Sequence, residues 1–226
     1  MTRVARMVAP GFPHHVTQRG NRKLDIFAND DDRRFYLATV NKYAQKHGVA
    51  IWAYCLMSNH VHFIAVPASE QALGRTMHDA HGVYSMRFNE INNLSGHLFQ
   101  GRFYSTILDE EHLWAAVRYV ERNPVRAGIV SRAESYKWSS ARAHCSGPVD
   151  PLLAAGFPPR SVVDDWSRWL RDVNDPLEQG LRMATRTGRP CGSAEFVKRI
   201  ESILDRAIEP KKPGRKSKLD NSGVRP

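Results

Sequence analysis

Two long segments of the chain carry hydrophobic residues at the spacing of an α-helix. Apolar side chains recur at three- and four-residue steps through residues 30–46 and again through residues 71–92. Three aspartates open the first segment, where they suit the positive end of a helix dipole, and His47-Gly48 closes it. Both segments are therefore predicted to be helices with one face on a core.

Shorter apolar runs between and beside these helices have the length of strands. Residues 49–56 and 61–66 flank Ser58-Asn59 and predict a hairpin, whose second strand ends at Pro67. Alternating residues at 14–20 predict a strand before the first helix.

A fourth strand and a third helix are predicted after the second long helix. Residues 102–108 have strand character, and acidic residues fill the first turn of a helix over 109–122, which Pro124 limits. The order β-α-β-β-α-β-α is that of a split βαβ, ferredoxin-like antiparallel sheet with an added helix. The predicted fold class is therefore α+β.

The pattern weakens after Trp138, where glycines and prolines interrupt the chain. We predict one main domain over residues 1–145, a linker with a small helical module over 146–208, and a basic tail without regular structure over 209–226. Within the module, helices are predicted over 162–173 and 194–208.

The charge of the chain points to a polyanionic partner. The formal net charge of the 226 residues is +10, with a pI of about 9.8, and residues 181–226 carry +7 of it. A basic surface of this kind attracts nucleic acid. No apolar run reaches the roughly 20 residues of a membrane span, so no membrane partner is expected.

Cysteine usage indicates the compartment. Cys55, Cys145 and Cys191 are odd in number and widely spaced, and they form no Cys-x-x-Cys pair, which argues against a disulfide framework and a zinc site. A reducing cytoplasm is the expected location.

His60 and His62 lie two residues apart in an apolar strand, so both side chains point to one face of the sheet. Imidazoles at that spacing can converge on one metal ion. The pattern alone equally fits two polar residues on a solvated strand face.

Tyr119 and Asn123 lie four residues apart near the end of the third predicted helix and share one of its faces. A tyrosine hydroxyl that attacks a phosphodiester forms a phosphotyrosine linkage, and a divalent cation would stabilise the charge that develops on the phosphate. An isolated helical tyrosine is more often a core residue with its hydroxyl at the surface.

Four separated sequence blocks together resemble the single-tyrosine HUH transposases, and among them the REP-associated tyrosine transposases. The resemblance covers roughly residues 10–140. The blocks are HHVTQRGN from His14, YCLMSNHVH from Tyr54, GHLFQGRF from Gly96 and YVERNPVRAG from Tyr119.

The resemblance implies a role for each candidate residue. His60 and His62 match the family's metal-binding pair, Tyr119 matches its nucleophile, and Asn123 matches its third ligand. The implied cofactor is a divalent metal, Mg²⁺ or Mn²⁺, and the sequence does not choose between them. The implied activity is cleavage and transfer of single-stranded or hairpin DNA through a 5′-phosphotyrosine intermediate.

Basic and aromatic residues near these blocks are candidates for contacts with the DNA. Single strands bind in basic grooves where aromatic rings stack on bases. The candidates are Arg19, Arg22, Lys23, Arg102, Phe103 and Tyr104, together with Arg189 and Arg215 in two Gly-Arg segments that suit phosphate attraction.

The expected setting is a prokaryotic cytoplasm, in association with the nucleoid, with a monomer or homodimer as the assembly and no small-molecule substrate. Two other functions fit the same residues. One is a catalytically inactive, domesticated protein that only binds a DNA or RNA hairpin. The other is a metal-dependent hydrolase that acts through water, without a covalent intermediate.

Overall fold

The computed structural model describes residues 6–157, 163–172 and 177–208, and a four-stranded antiparallel sheet lies at the centre of them. Its strands stand in the order β2-β3-β1-β4, where β1 is His14–Arg19, β2 Val49–Leu56, β3 His60–Pro67 and β4 Tyr104–Ile107. This is the order of a ferredoxin-like split βαβ sheet, so the predicted α+β fold class is confirmed.

The described helices follow the strands in the predicted order as far as the third helix. They are α1 (Asp30–His47), α2 (Ala72–Ile91), α3 (Glu110–Glu121), α4 (Asn123–Arg126), α5 (Ala141–His144), α6 (Trp166–Arg171), α7 (Glu178–Thr187) and α8 (Ala194–Leu204). Short 3₁₀ turns lie at Asn21–Lys23 and Ala133–Ser135.

The ends of α1 and α3 follow from side chains next to them. The Asn29 side chain accepts a hydrogen bond from the backbone N–H of Asp32, and Asp109 does the same for His112 at the start of α3. Gly48 ends α1 in the left-handed region, at φ 71°. Pro124 has no N–H to donate, and the helix is interrupted between Glu121 and Asn123.

The two faces of the sheet carry separate cores. Helices α1 and α2 cover one face, where buried residues include Val16, Phe63, Tyr36 and Tyr84. The other face is covered by α3 and by residues from the C-terminal segments, including Leu181 of α7. We call this second face the site face.

The C-terminal part differs from the prediction in detail. Helix α8 ends at Leu204, because Asp205 adopts a left-handed conformation with φ 45°. Helix α6 lies inside the predicted segment 162–173, both ends of which are outside the described residues. Helix α7 was not predicted at all. The predicted tail, 209–226, also lies outside the described residues, and the bounds of the three proposed domains stay predictions.

Across these described segments, none of the helices is both long and apolar enough to span a membrane. The three cysteines are free thiols in the structure.

Candidate metal and tyrosine site

The strand register puts the paired histidines on the site face. His62 of β3 lies opposite Thr17 of β1, and His60 lies opposite Arg19. His62 is buried and His60 half-buried, and their ring centroids are 4.9 Å apart. The predicted convergence of the two imidazoles is therefore present in the fold.

Hydrogen bonds hold one nitrogen of each imidazole. Nδ1 of His60 donates to the side-chain oxygen of Asn59 at 2.6 Å, because a carboxamide oxygen can only accept. Nδ1 of His62 lies 2.9 Å from Nε2 of His15 on β1. Among the residues that the structure describes, neither Nε2 atom makes a hydrogen bond.

Burial keeps both histidines neutral at ordinary pH. Desolvation lowers the pKa of His60 to about 4, with a smaller effect of Arg19. The pKa of His62 is lowered well below its usual value by burial first, and then by neighbouring histidines and arginines. A neutral imidazole with its hydrogen on Nδ1 presents a lone pair at Nε2, which is what a metal ligand requires.

Tyr119 lies directly against His62 and against His15 of β1. Its ring centroid is 5.5 Å from that of His62 and 5.7 Å from that of His15, and its ring plane stands nearly perpendicular to both, at 89° and 81°. Tyr119 is half-buried on α3.

The end of α3 is held in place by a buried carboxylate two residues after Tyr119. Glu121 is fully buried and accepts hydrogen bonds from the Ser140 hydroxyl, the His144 ring and the Trp166 indole. These partners belong to the segments that follow α4. They fix α3 against the sheet and so fix the distance between Tyr119 and His62.

Asn123 stands one turn beyond Tyr119 and is buried. Its side-chain N–H donates to the backbone oxygen of Tyr119 at 3.4 Å, which leaves the side-chain oxygen as the group able to bind a cation. The described residues contain no cluster of three or more His, Cys, Asp and Glu side chains suited to a metal. Two histidines and an amide are a different donor set.

Two guanidinium groups lie over the ring of Tyr119. The central carbon of Arg126 is 4.6 Å from the ring centroid and that of Arg182 is 5.5 Å from it. Glu178 of α7 pairs with both, at 2.9 Å to Arg126 and 2.5 Å to Arg182. Two guanidinium groups and one carboxylate leave a net positive charge beside the tyrosine, which favours a phosphate group there.

The predicted DNA-contacting residues fall into several environments. Arg19 and Tyr104 point to the site face, because their cross-strand partners are His60 and Thr17. Arg22 and Lys23 are exposed on the 3₁₀ turn after β1, both with positive φ.

The remaining candidates are more scattered. Arg102 and Arg189 are exposed. Phe103 is buried, and the guanidinium of Arg6 covers its ring at 3.4 Å from the centroid. Arg215 lies outside the described residues.

The sequence patterns do not point to His15, Arg126 or helix α7 as parts of the site. His15 lies in the first of the four blocks that carry the resemblance, but the resemblance implies no role for it, and its contact with His62 follows only from the pairing of β1 with β3. The signal for α7 was the spacing of Leu181, Ala184, Thr185 and Gly188, which has helical period but only one large apolar residue.

Comparisons with known proteins agree with this fold. The family model described as "Transposase IS200 like" matches residues 11–123, which is half of the chain and contains the histidine pair, Tyr119 and Asn123. The protein is thus a transposase by class, which makes it a DNA-processing protein. More particularly, it belongs to the family of IS200-like transposases.

Solved structures with related folds include a REP-associated tyrosine transposase bound to a REP hairpin. That chain is 18% identical, with a TM-score of 0.53, and the match covers 69% of this chain and 92% of that one. A Deinococcus radiodurans protein assigned as a transposase is 12% identical, with a TM-score of 0.38. That match covers 54% of this chain and 97% of the Deinococcus chain. No curated protein matches the sequence.

Proposed function

We propose that this transposase is a metal-dependent, site-specific endonuclease and strand-transferase for single-stranded DNA next to hairpins, and that Tyr119 is its nucleophile. The observation that carries the proposal is the contact of Tyr119 with His62, at 5.5 Å between ring centroids. A nucleophile must lie beside the group that activates the phosphate, and this contact supports such an arrangement.

The donor atoms fit a divalent cation. His60 and His62 would hold it through Nε2, and Asn123 through its side-chain oxygen. A bound Mg²⁺ or Mn²⁺ would polarise the scissile phosphate and reduce its negative charge. The mixture of imidazole and oxygen donors suits either ion.

The chemical step exchanges one phosphoester for another. The Tyr119 oxygen attacks the phosphorus and loses its proton, the bond from phosphorus to the 3′ oxygen breaks, and that oxygen takes up a proton. The 5′ phosphate then remains on the tyrosine. Attack by another 3′ hydroxyl reverses the step and joins a new strand without an external energy source.

The surrounding residues would orient the DNA. Arg126 and Arg182 beside the tyrosine are suited to phosphate oxygens, and Arg19 and Tyr104 lie on the same sheet face as the histidines. Arg22, Lys23, Arg102, Arg189 and Arg215 remain candidates for more distant contacts. Phe103 stays a candidate only if Arg6 moves off its ring to admit a base. A REP-type hairpin is the proposed substrate, and a cytoplasmic, nucleoid-associated protein acting as monomer or homodimer is the proposed form.

Denaturing electrophoresis tests this function. Hairpin DNA with a single-stranded flank, labelled at its 3′ end, is incubated with the protein and Mn²⁺. We expect a labelled band that migrates with the protein, because the 3′ product stays attached through its 5′ phosphate. Tyr119→Phe should abolish that band and retain hairpin binding. Tyr43→Phe on α1 is the matched control and should retain both.

The other two functions give different results in the same experiment. A hydrolase acting through water would release a shortened DNA with no protein attached. A protein that only binds hairpins would shift the DNA in a native gel and cut nothing. Either result would overturn the proposal.

A further inference from the structure

A continuous chain of hydrogen bonds leads from helix α7 to His62. The hydroxyl of Thr185 donates to the backbone oxygen of Leu181, one turn earlier, at 2.8 Å. The same hydroxyl oxygen lies 2.8 Å from Nδ1 of His15, whose Nε2 lies 2.9 Å from Nδ1 of His62. Thr185, His15 and His62 are all buried, so water does not compete for these bonds.

The position of each hydrogen in this chain follows from the bond that Thr185 donates to Leu181. The Thr185 hydroxyl has one hydrogen, and with that hydrogen on the Leu181 carbonyl the hydroxyl oxygen accepts from Nδ1 of His15. Neutral His15 then has a lone pair at Nε2 and accepts from Nδ1 of His62. His62 consequently keeps its own lone pair at Nε2, the atom assigned above to the metal.

Helix α7 is held against the sheet by packing before Thr185 and by hydrogen bonds after it. Leu181 is fully buried in the core of the site face. Beyond the end of the helix, the backbone N–H of Cys191 donates to Ile107 at 2.8 Å, and the Thr106 hydroxyl donates to the backbone oxygen of Arg189. Thr185 therefore meets His15 from a fixed position.

We infer that His15 and Thr185 are positioning residues that hold His62 in the tautomer able to bind the metal, and that α7 is part of the active site. The inference rests on the proposed function, in which His62 is a ligand. Since α7 lies outside residues 11–123, this contribution comes from a part of the chain that the family match does not include.

The expected consequence is a loss of metal affinity without a loss of fold. If the hydrogen of His62 moves to Nε2, the lone pair of that imidazole lies on Nδ1, beside His15, and none remains at Nε2 for the cation. Removal of a partner that orients a metal ligand typically costs 10- to 100-fold in metal affinity or activity. A purely structural role for Thr185 would change stability and leave metal affinity unchanged.

A matched pair of variants at Thr185 tests the inference. Thr185→Val has nearly the same shape and lacks the hydroxyl, and Thr185→Ser keeps the hydroxyl. Mn²⁺ affinity is measured by titration calorimetry on the DNA-free protein. The hydrogen-bearing nitrogen of His62 is read from long-range ¹H–¹⁵N spectra, assigned with His62→Gln. His15→Phe serves as the stronger variant, and thermal unfolding verifies that each protein is folded.

We expect the wild-type His62 to carry its hydrogen on Nδ1. Thr185→Val should weaken Mn²⁺ binding about tenfold or more and populate the other tautomer, and Thr185→Ser should restore both. A wild-type His62 protonated on Nε2 would overturn the inference, as would unchanged Mn²⁺ affinity and tautomer in both Thr185→Val and a folded His15→Phe. The proposed function fails separately, through absence of the covalent band from wild-type protein.

Discussion

The ring of Tyr119 stands edge-on to that of His62, with centroids 5.5 Å apart and planes at 89°. The two residues come from α3 and β3, which are separated by an entire helix and strand in the sequence. Only the packing of α3 on the site face brings them together. The buried Glu121, with its three hydrogen-bond donors, keeps that packing in place.

Substitutions of Asn123 test the third metal ligand. Asn123→Leu removes the side-chain oxygen at similar volume, so the Mn²⁺ concentration for half-maximal cleavage should rise about tenfold or more. Asn123→Asp supplies a charged oxygen, which hard cations prefer, and should lower that concentration. An unchanged metal dependence in both variants, with both proteins folded, would show that Asn123 does not bind the ion.

The guanidinium groups over Tyr119 should accelerate cleavage. Arg126 lies 4.6 Å from the ring centroid and can stabilise negative charge on the tyrosine oxygen and the phosphate. Arg126→Gln is expected to lower the rate of covalent attachment about tenfold or more, with hairpin affinity changed much less. Single-turnover kinetics measure the effect. Arg132→Gln, at an exposed ion pair with Glu134, is the control and should have the wild-type rate.

The basic turn after β1 should contribute to DNA binding in a salt-dependent way. Replacement of both Arg22 and Lys23 by glutamine removes two possible phosphate contacts, so the slope of log affinity against log salt should decrease in magnitude by about 1.4 for a single strand. Fluorescence anisotropy over a salt series measures the slope. The same double change at Lys42 and Lys46, on α1, should leave the slope unchanged.

Stability should fall in mild acid because of buried His14. Its Nδ1 donates to the Phe12 backbone oxygen and its Nε2 accepts from the Ala9 N–H, while burial lowers its pKa from 6.5 to about 4. The unfolded chain therefore binds a proton first as the pH falls. The contribution of neutral His14 to the free energy of unfolding is fully present above pH 6.5. It is lost between pH 6.5 and about pH 4, at up to about 1.4 kcal/mol per pH unit.

The variant His14→Gln separates this contribution from other titrating groups. Urea unfolding at several pH values should give a shallower dependence of the unfolding free energy between pH 6.5 and pH 4 than for wild type. A variant with the wild-type slope would mean that His14 takes up its proton equally in the folded and unfolded states.

Much of the fold follows from patterns within single segments. Apolar spacing marks the hairpin of β2 and β3 and the helices α1, α2 and α3. Acidic first turns mark α1 and α3 as well, and Gly48 and Pro124 mark where these two helices end. The order of these elements was enough to predict the ferredoxin-like sheet. The histidine pair was likewise visible, because residues two apart on a strand share a face.

The rest of the site depends on tertiary contacts that local patterns do not encode. His15 reaches His62 only through the register of β1 against β3. Helix α7 buries Thr185 in place of a large apolar residue and has Gly180 in its first turn, so few large apolar residues mark it as a helix. Its position beside Tyr119 follows from packing against α3 and β4.

The most direct test is to identify the residue that becomes attached to DNA. After reaction with hairpin DNA and Mn²⁺, the protein is digested with nuclease and trypsin. Trypsin cleaves after Arg118 and after Arg122, so the peptide Tyr119-Val120-Glu121-Arg122 should carry a nucleotide through its 5′ phosphate. Mass spectrometry is expected to place the modification on Tyr119. Attachment at another tyrosine, or cleaved DNA with no modified peptide, would contradict the mechanism.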